Sequence, residues 1–151
     1  MSEQQPVFNI EKIYLRDLSL EIPGAPHVFA ERDSPKIDIN LHTETREIEA
    51  GIYEVVVTAT VTAKLKDDKT AFLVEVAQAG IFQIRNLPGQ ELEAVLGITC
   101  ANILFPYLRE SVSSVAIRGG FPPFFLNHLN FEALYQQRLQ QEAAAKAAPQ
   151  A

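Results

Sequence analysis

The chain of 151 residues holds a single cysteine, Cys100, so no internal disulfide can form and the composition fits a reducing compartment. Cations are in deficit: 13 Lys and Arg stand against 19 Asp and Glu, a formal net charge of −6, and the pI is near 5.0. Affinity for nucleic acid rests on clustered Lys and Arg that neutralise phosphates. No such cluster is present, so no nucleic-acid partner is expected and a basic protein is the better electrostatic match. No apolar run approaches the roughly 20 residues that span a bilayer. The opening MSEQQPVFNIEK is polar and acidic where a secretory signal is basic and then apolar. A cytoplasmic protein without direct membrane insertion is therefore expected.

Motifs of catalysis are missing as well. There is no GxGxxG, GxxxxGK, HExxH or CxxC, and His27, His42 and His128 lie in unrelated segments without ligand spacing. No metal, cofactor or enzymatic activity is expected. Cys100 could pair with a histidine as a nucleophile, but a lone cysteine beside an apolar helix reads first as a small core residue.

What is present is alternation. In YEVVVTATVTAKL, Tyr53, Val55, Val57, Ala59, Val61, Ala63 and Leu65 share one face, and Glu54, Thr58, Thr60, Thr62 and Lys64 the other. That is the period of a half-buried strand, broken only by Val56. KDDKT then supplies a turn, and AFLVEVAQAGIFQI returns with Phe72, Val74 and Val76 opposed to Leu73, Glu75, Ala77 and Ala79, predicting an antiparallel hairpin. Upstream, VFNIEKIYLRDLSLEI and KIDINLHTETREI also alternate. Four strands follow in sequence. Between the first two, PGAPHVFAERDSP is rich in turn formers, is longer than a hairpin needs and carries Phe29.

Past the strands the period changes. QELEAVLG predicts a short helical turn ending at Gly97. Ala101, Leu104, Leu108, Val112 and Val115 then fall at helical spacing, with Ile103, Tyr107 and Ile117 off that stripe. Pro106 must sit in the first turn or kink the helix, and Gly119 with Gly120 ends it. Asn130 is placed to cap a last helix through Phe131, Leu134, Tyr135 and Leu139. QEAAAKAAPQA has no apolar period beyond alanine and is expected to be mobile. The expected fold is α+β: a four-stranded antiparallel sheet with helices packed on one face. Residues 1–140 would form one domain and 141–151 a tail. The uncovered face, with Glu54, Thr58, Thr60, Thr62, Leu73 and Glu75, reads as solvated. Helix apolar surface exceeds what one sheet face can cover, which points to self-association.

Six stretches carry a resemblance: RDLSLEIPGAPHVF at 16–29, YEVVVTATVTA at 53–63, TAFLVEV at 70–76, ANILFPYLRE at 101–110, RGGFPP at 118–123 and NFEALY at 130–135. In this order they resemble the successive stretches of the SecB family of protein-export chaperones. The resemblance implies a homotetramer, a dimer of dimers, with Val76, Cys100, Leu104, Leu108 and Val112 at contacts between protomers. It implies an ATP-independent holdase that binds unfolded preproteins in aromatic grooves and keeps them competent for translocation. Phe29, Phe121, Phe124, Phe125 and Leu126 would line those grooves, with Phe82, Phe105 and Tyr107 as supports. It implies delivery to the motor ATPase SecA, docking on Asp17, Glu21, Leu73 and Glu75. These carboxylates share the parity opposite the core, in accord with that role. The sequence departs from the family's pattern in its nearly uncharged tail, in AGIF at 79–82 where a double glycine is usual, and in the aromatic-rich PPFF. Two other readings remain: a SecB-like chaperone dedicated to a toxin–antitoxin client, and a small-ligand-binding α+β domain with one enclosed pocket.

Overall fold

The computed structural model describes residues 4–147. Four long strands, β1 (Val7–Glu21), β2 (Lys36–Glu49), β3 (Ile52–Lys64) and β4 (Thr70–Arg85), form one antiparallel sheet in the order β1-β4-β3-β2. The expected hairpin is β3–β4, closed by a turn in which Asp68 adopts φ 67°. Because β1 and β2 are the two outer strands, the segment joining them must travel from one edge of the sheet to the other. That requirement accounts for its length.

Parity holds along β3 and β4. Val55, Val57, Ala59, Val61 and Ala63 of β3, with Phe72, Val74, Val76 and Phe82 of β4, are buried beneath the helices. Strand β1 keeps its apolar side chains on this face only with help. Its ladder to β4 skips Glu11 and Arg16, so the residues opposite core positions are Phe8, Ile10, Ile13, Leu15, Leu18 and Leu20. Each bulge restores the parity that strict alternation would lose. The apolar row is left largely uncovered, because the helical layer lies over the two central strands: Phe8, Ile10, Leu15 and Leu18 are all exposed.

The helical part begins with α1 (Gly89–Ala94), passes through one turn of π helix (Val95–Thr99) and continues as α2 (Cys100–Arg118); α3 is Phe131–Ala147. The path does not end at Gly97 as expected. Gly97 serves an approach instead: a Cβ there would lie 2.8 Å from Cδ2 of Tyr135, so only glycine lets α3 pack this closely on the π turn. Pro106 lies inside α2, beyond its first turn. At the other end Gly120 takes φ +86°, the left-handed conformation that closes a helix. Asn130 caps α3 as expected, its Oδ1 accepting from the Ala133 amide at 3.0 Å. Helix α3 runs on through 141–147, so that part of the expected tail is helical; residues 148–151 lie outside the described residues.

The packing bears on two expectations. The continuous helical path Gly89–Arg118 is long and apolar enough by length and composition to cross a membrane, although no such run was expected. Its apolar groups are used otherwise, since Cys100, Leu104, Leu108 and Val112 are fully or almost fully buried against the sheet. Those four, with Val76, were expected at contacts between protomers, but all five fill the core of the single chain. The groups of α2 left outward are Ile103, half-buried, and Tyr107 and Ile117, both exposed.

Candidate functional site

Aromatic rings from three parts of the chain meet where the edge-to-edge connection passes the end of α2. Phe29 stands on a single 3-10 turn, His27–Ala30. Its ring centroid is 5.4 Å from that of Phe121, and Phe121 is 4.5 Å from Phe72 of β4. Gly120 makes the meeting feasible, since a Cβ there would lie 3.1 Å from the Phe29 ring. The seam is graded in exposure: Phe29 is 51% exposed, Phe121 half-buried and Phe72 3% exposed. Phe125, at 64%, is the most exposed large apolar side chain described. Phe124 is half-buried against the core and Leu126 is buried.

The expected supports divide. Phe82 is fully buried and meets Phe8 at 5.8 Å; Phe105 is buried against Phe131 at 5.6 Å; Tyr107 is half-exposed on α2, away from the core. Phe72 was missed as a seam residue. Its strand position reads as core, and nothing local reveals that residues 29 and 121 will arrive above it.

On the opposite face of the sheet the register gathers the acidic set. Glu21 stands opposite Leu73, Ser19 opposite Glu75 and Asp17 opposite Ala77, and residues opposite one another share a face. Asp17, Glu21 and Glu75 are exposed and Leu73 half-buried. Glu75 accepts a hydrogen bond from the Thr60 hydroxyl at 3.1 Å. Among the described residues none of these three carboxylates forms an ion pair.

Part of this face is not solvated as expected. Glu54 is 6% exposed and Val56 5%. The Glu54 carboxylate accepts from Arg16 at 2.9 Å, from Arg46 at 3.3 Å and from the Tyr14 hydroxyl. Burial, and then donation to this carboxylate, raises the Tyr14 pKa above its ordinary value. The sole sequence signal was Val56, apolar where a solvated face should be polar.

Burial pushes the Cys100 thiol up to about 12, which keeps it protonated at neutral pH and a poor nucleophile. No group of three or more His, Cys, Asp or Glu that could hold a metal occurs among the described residues.

Comparison with known proteins shows the family and the fold. The family described as preprotein translocase subunit SecB matches residues 1–142. The protein-export protein SecB of Methylobacillus flagellatus is 60% identical over 146 residues, covering 97% of this chain and 92% of that protein. That of Nitrosomonas eutropha is 64% identical over 143 residues, covering 94% and 89%. Among solved structures, a SecB-like chaperone of Mycobacterium tuberculosis in complex with an antitoxin peptide shares the fold, with a TM-score of 0.67 at 20% identity over 82% of this chain and 91% of that one. On fold, family match and extended identity, this chain belongs to the SecB family of protein-export chaperones.

Proposed function

We propose that the protein is an ATP-independent, cytoplasmic holdase that binds non-native preproteins at the aromatic seam, keeps them translocation-competent and delivers them to SecA. The observation that carries this reading is the seam itself: Phe29 holds about half of its surface in water while Phe121 and Phe72 continue the apolar surface inward, and Phe125, four residues beyond Phe121, is 64% exposed. Exposed apolar area of this kind marks an interaction surface. Rings attract any apolar segment through removal of area from water at roughly 25 cal/mol per Å², a term that reads no particular sequence. Self-association into a homotetramer would repeat the seam, so that moderate contacts to one long chain combine. The uncovered row on β1 and the outward groups of α2 are the apolar surface available to another copy.

Release needs no nucleotide in this reading. SecA would dock on the acidic outer face formed by Asp17, Glu21, Leu73 and Glu75, and the client would pass to it by handover. The unpaired state of those carboxylates among the described residues favours this over a chaperone dedicated to one toxin–antitoxin client. The test is dilution of a denatured, slow-folding preprotein into stoichiometric protein without ATP, followed by light scattering. Suppressed scattering is expected; unchanged scattering in the presence of folded protein would overturn the holdase reading.

A further inference from the structure

Glu54 is the sole charged side chain that is buried among the described residues, and its partners are unevenly placed. Arg46 stands directly opposite it on β2. Arg16 comes from β1, with β4 lying between that strand and β3. Arg16 is also the residue that the second β1 bulge leaves without a ladder partner, immediately before Asp17. Because the bulge interrupts the alternation of β1, Arg16 lies toward the same outer face as Asp17, where a guanidinium not held elsewhere could offset that carboxylate. Instead its guanidinium is committed to Glu54 at 2.9 Å.

We propose that Glu54 is a positioning residue for the acidic outer face: by holding Arg16, it leaves Asp17, Glu21 and Glu75 uncompensated for a basic partner. The inference rests on the docking reading above and names a residue outside the docking set. A carboxylate this buried requires its hydrogen bonds to be filled, and charge-assisted bonds to guanidinium are the strong ones. The bulge supplies the geometry, since it frees Arg16 from the alternation of its strand and lets it reach across the outer face. Arg46 has Glu44, whose carboxylate also meets His42 at 2.9 Å, two positions back on its own face, so loss of Glu54 releases it to a neighbour on β2. Arg16, once released, has Asp17.

Four full-length proteins decide the matter by titration calorimetry against purified SecA at low and moderate salt: wild type, Glu54→Gln, Arg16→Ala and the double variant. Glutamine keeps the volume and a carbonyl for the Tyr14 hydroxyl. Arg16→Ala should bind within about twofold of wild type, because that cation is already withdrawn. Glu54→Gln should bind about 3- to 10-fold more weakly at low salt, with the difference shrinking as salt rises. The double variant should return to within about twofold of Arg16→Ala, a rescue that a merely structural role would not give. Wild-type affinity in Glu54→Gln, a double variant as weak as Glu54→Gln, or several-fold tighter binding by Arg16→Ala would each overturn the proposal. Should Glu54→Gln not fold, the Arg16→Ala arm decides alone: tightening overturns, equality supports. Glu75→Lys is the control for the underlying reading. If it binds SecA like wild type, the docking face itself is wrong; if it weakens binding while Glu54→Gln does not, only the role of Glu54 falls.

Discussion

Phe121 touches a ring from a surface loop and a ring from the sheet, so its substitution reports on binding and stability together. Replacing Phe121 and Phe124 with Ser should weaken client binding by about tenfold, measured with a fluorescent unfolded preprotein. Both rings are half-buried, so thermal unfolding should fall by several degrees. A large loss of melting temperature with unchanged client affinity would assign the rings to the core alone. Cys100 gives a second single-residue prediction. Burial holds its folded pKa at about 12, above the ordinary thiol value of 9.0, so above pH 9 the unfolded chain loses the proton first. The stability involved is present below pH 9 and is lost as pH rises toward 12, at up to ~1.4 kcal/mol per pH unit. Denaturant unfolding at stepped pH should show that slope in wild type and a shallower one in Cys100→Ala. At this scale the exposed aromatics were legible in the sequence, because rings among prolines have few other uses. Glu54 was not: its burial depends on Tyr14 and Arg16, which arrive from a strand that is not its neighbour.

Gly97 sets how closely two helical elements approach, and the contact can be tested as a pair. Gly97→Ala places a methyl group against the Tyr135 ring and should cost about 1–3 kcal/mol. Tyr135→Ala removes the obstacle, so the double variant should lose less than the sum of the two single losses; strict additivity would show that the ring and the π turn do not meet. Most elements were readable because a period of two or of 3.6 survives wherever one face is buried. β3 and β4 follow that rule through most of their length. β1 follows it only in pieces: its apolar positions step by two, three, two, three and two, and the bulges that produce those steps become visible only through the partner strand. The helical path continued past Gly97 for a similar reason. Glycine beside an apolar stretch reads as a stop, but a tertiary contact required it in mid-course.

Over the whole molecule, two proposed activities occupy opposite faces of one sheet, and β4 carries both: Phe72 belongs to the seam, and its neighbour Leu73 faces outward with Glu75. Charge reversal by Glu75→Lys should therefore weaken SecA binding while client affinity stays within about twofold, because the change is on a separate and solvated surface. Parallel loss of both would mean that the faces communicate through the sheet. The α+β architecture was legible from patterns alone, but the strand order was not, since hydrophobic period does not reveal which edges pair. That order has a consequence during synthesis. β2, β3 and β4 form a meander of sequence neighbours, whereas β1, the earliest of these four strands to leave the ribosome, has every described ladder partner on β4, from Val7 opposite Arg85 to Glu21 opposite Leu73. Its apolar row thus waits until four strands have been translated, and non-local pairings of this kind form slowly. Pulse-labelled hydrogen exchange during refolding should find β2–β4 protected before β1. A protein proposed to shelter incomplete chains passes through a stage in which its own leading strand needs the same shelter.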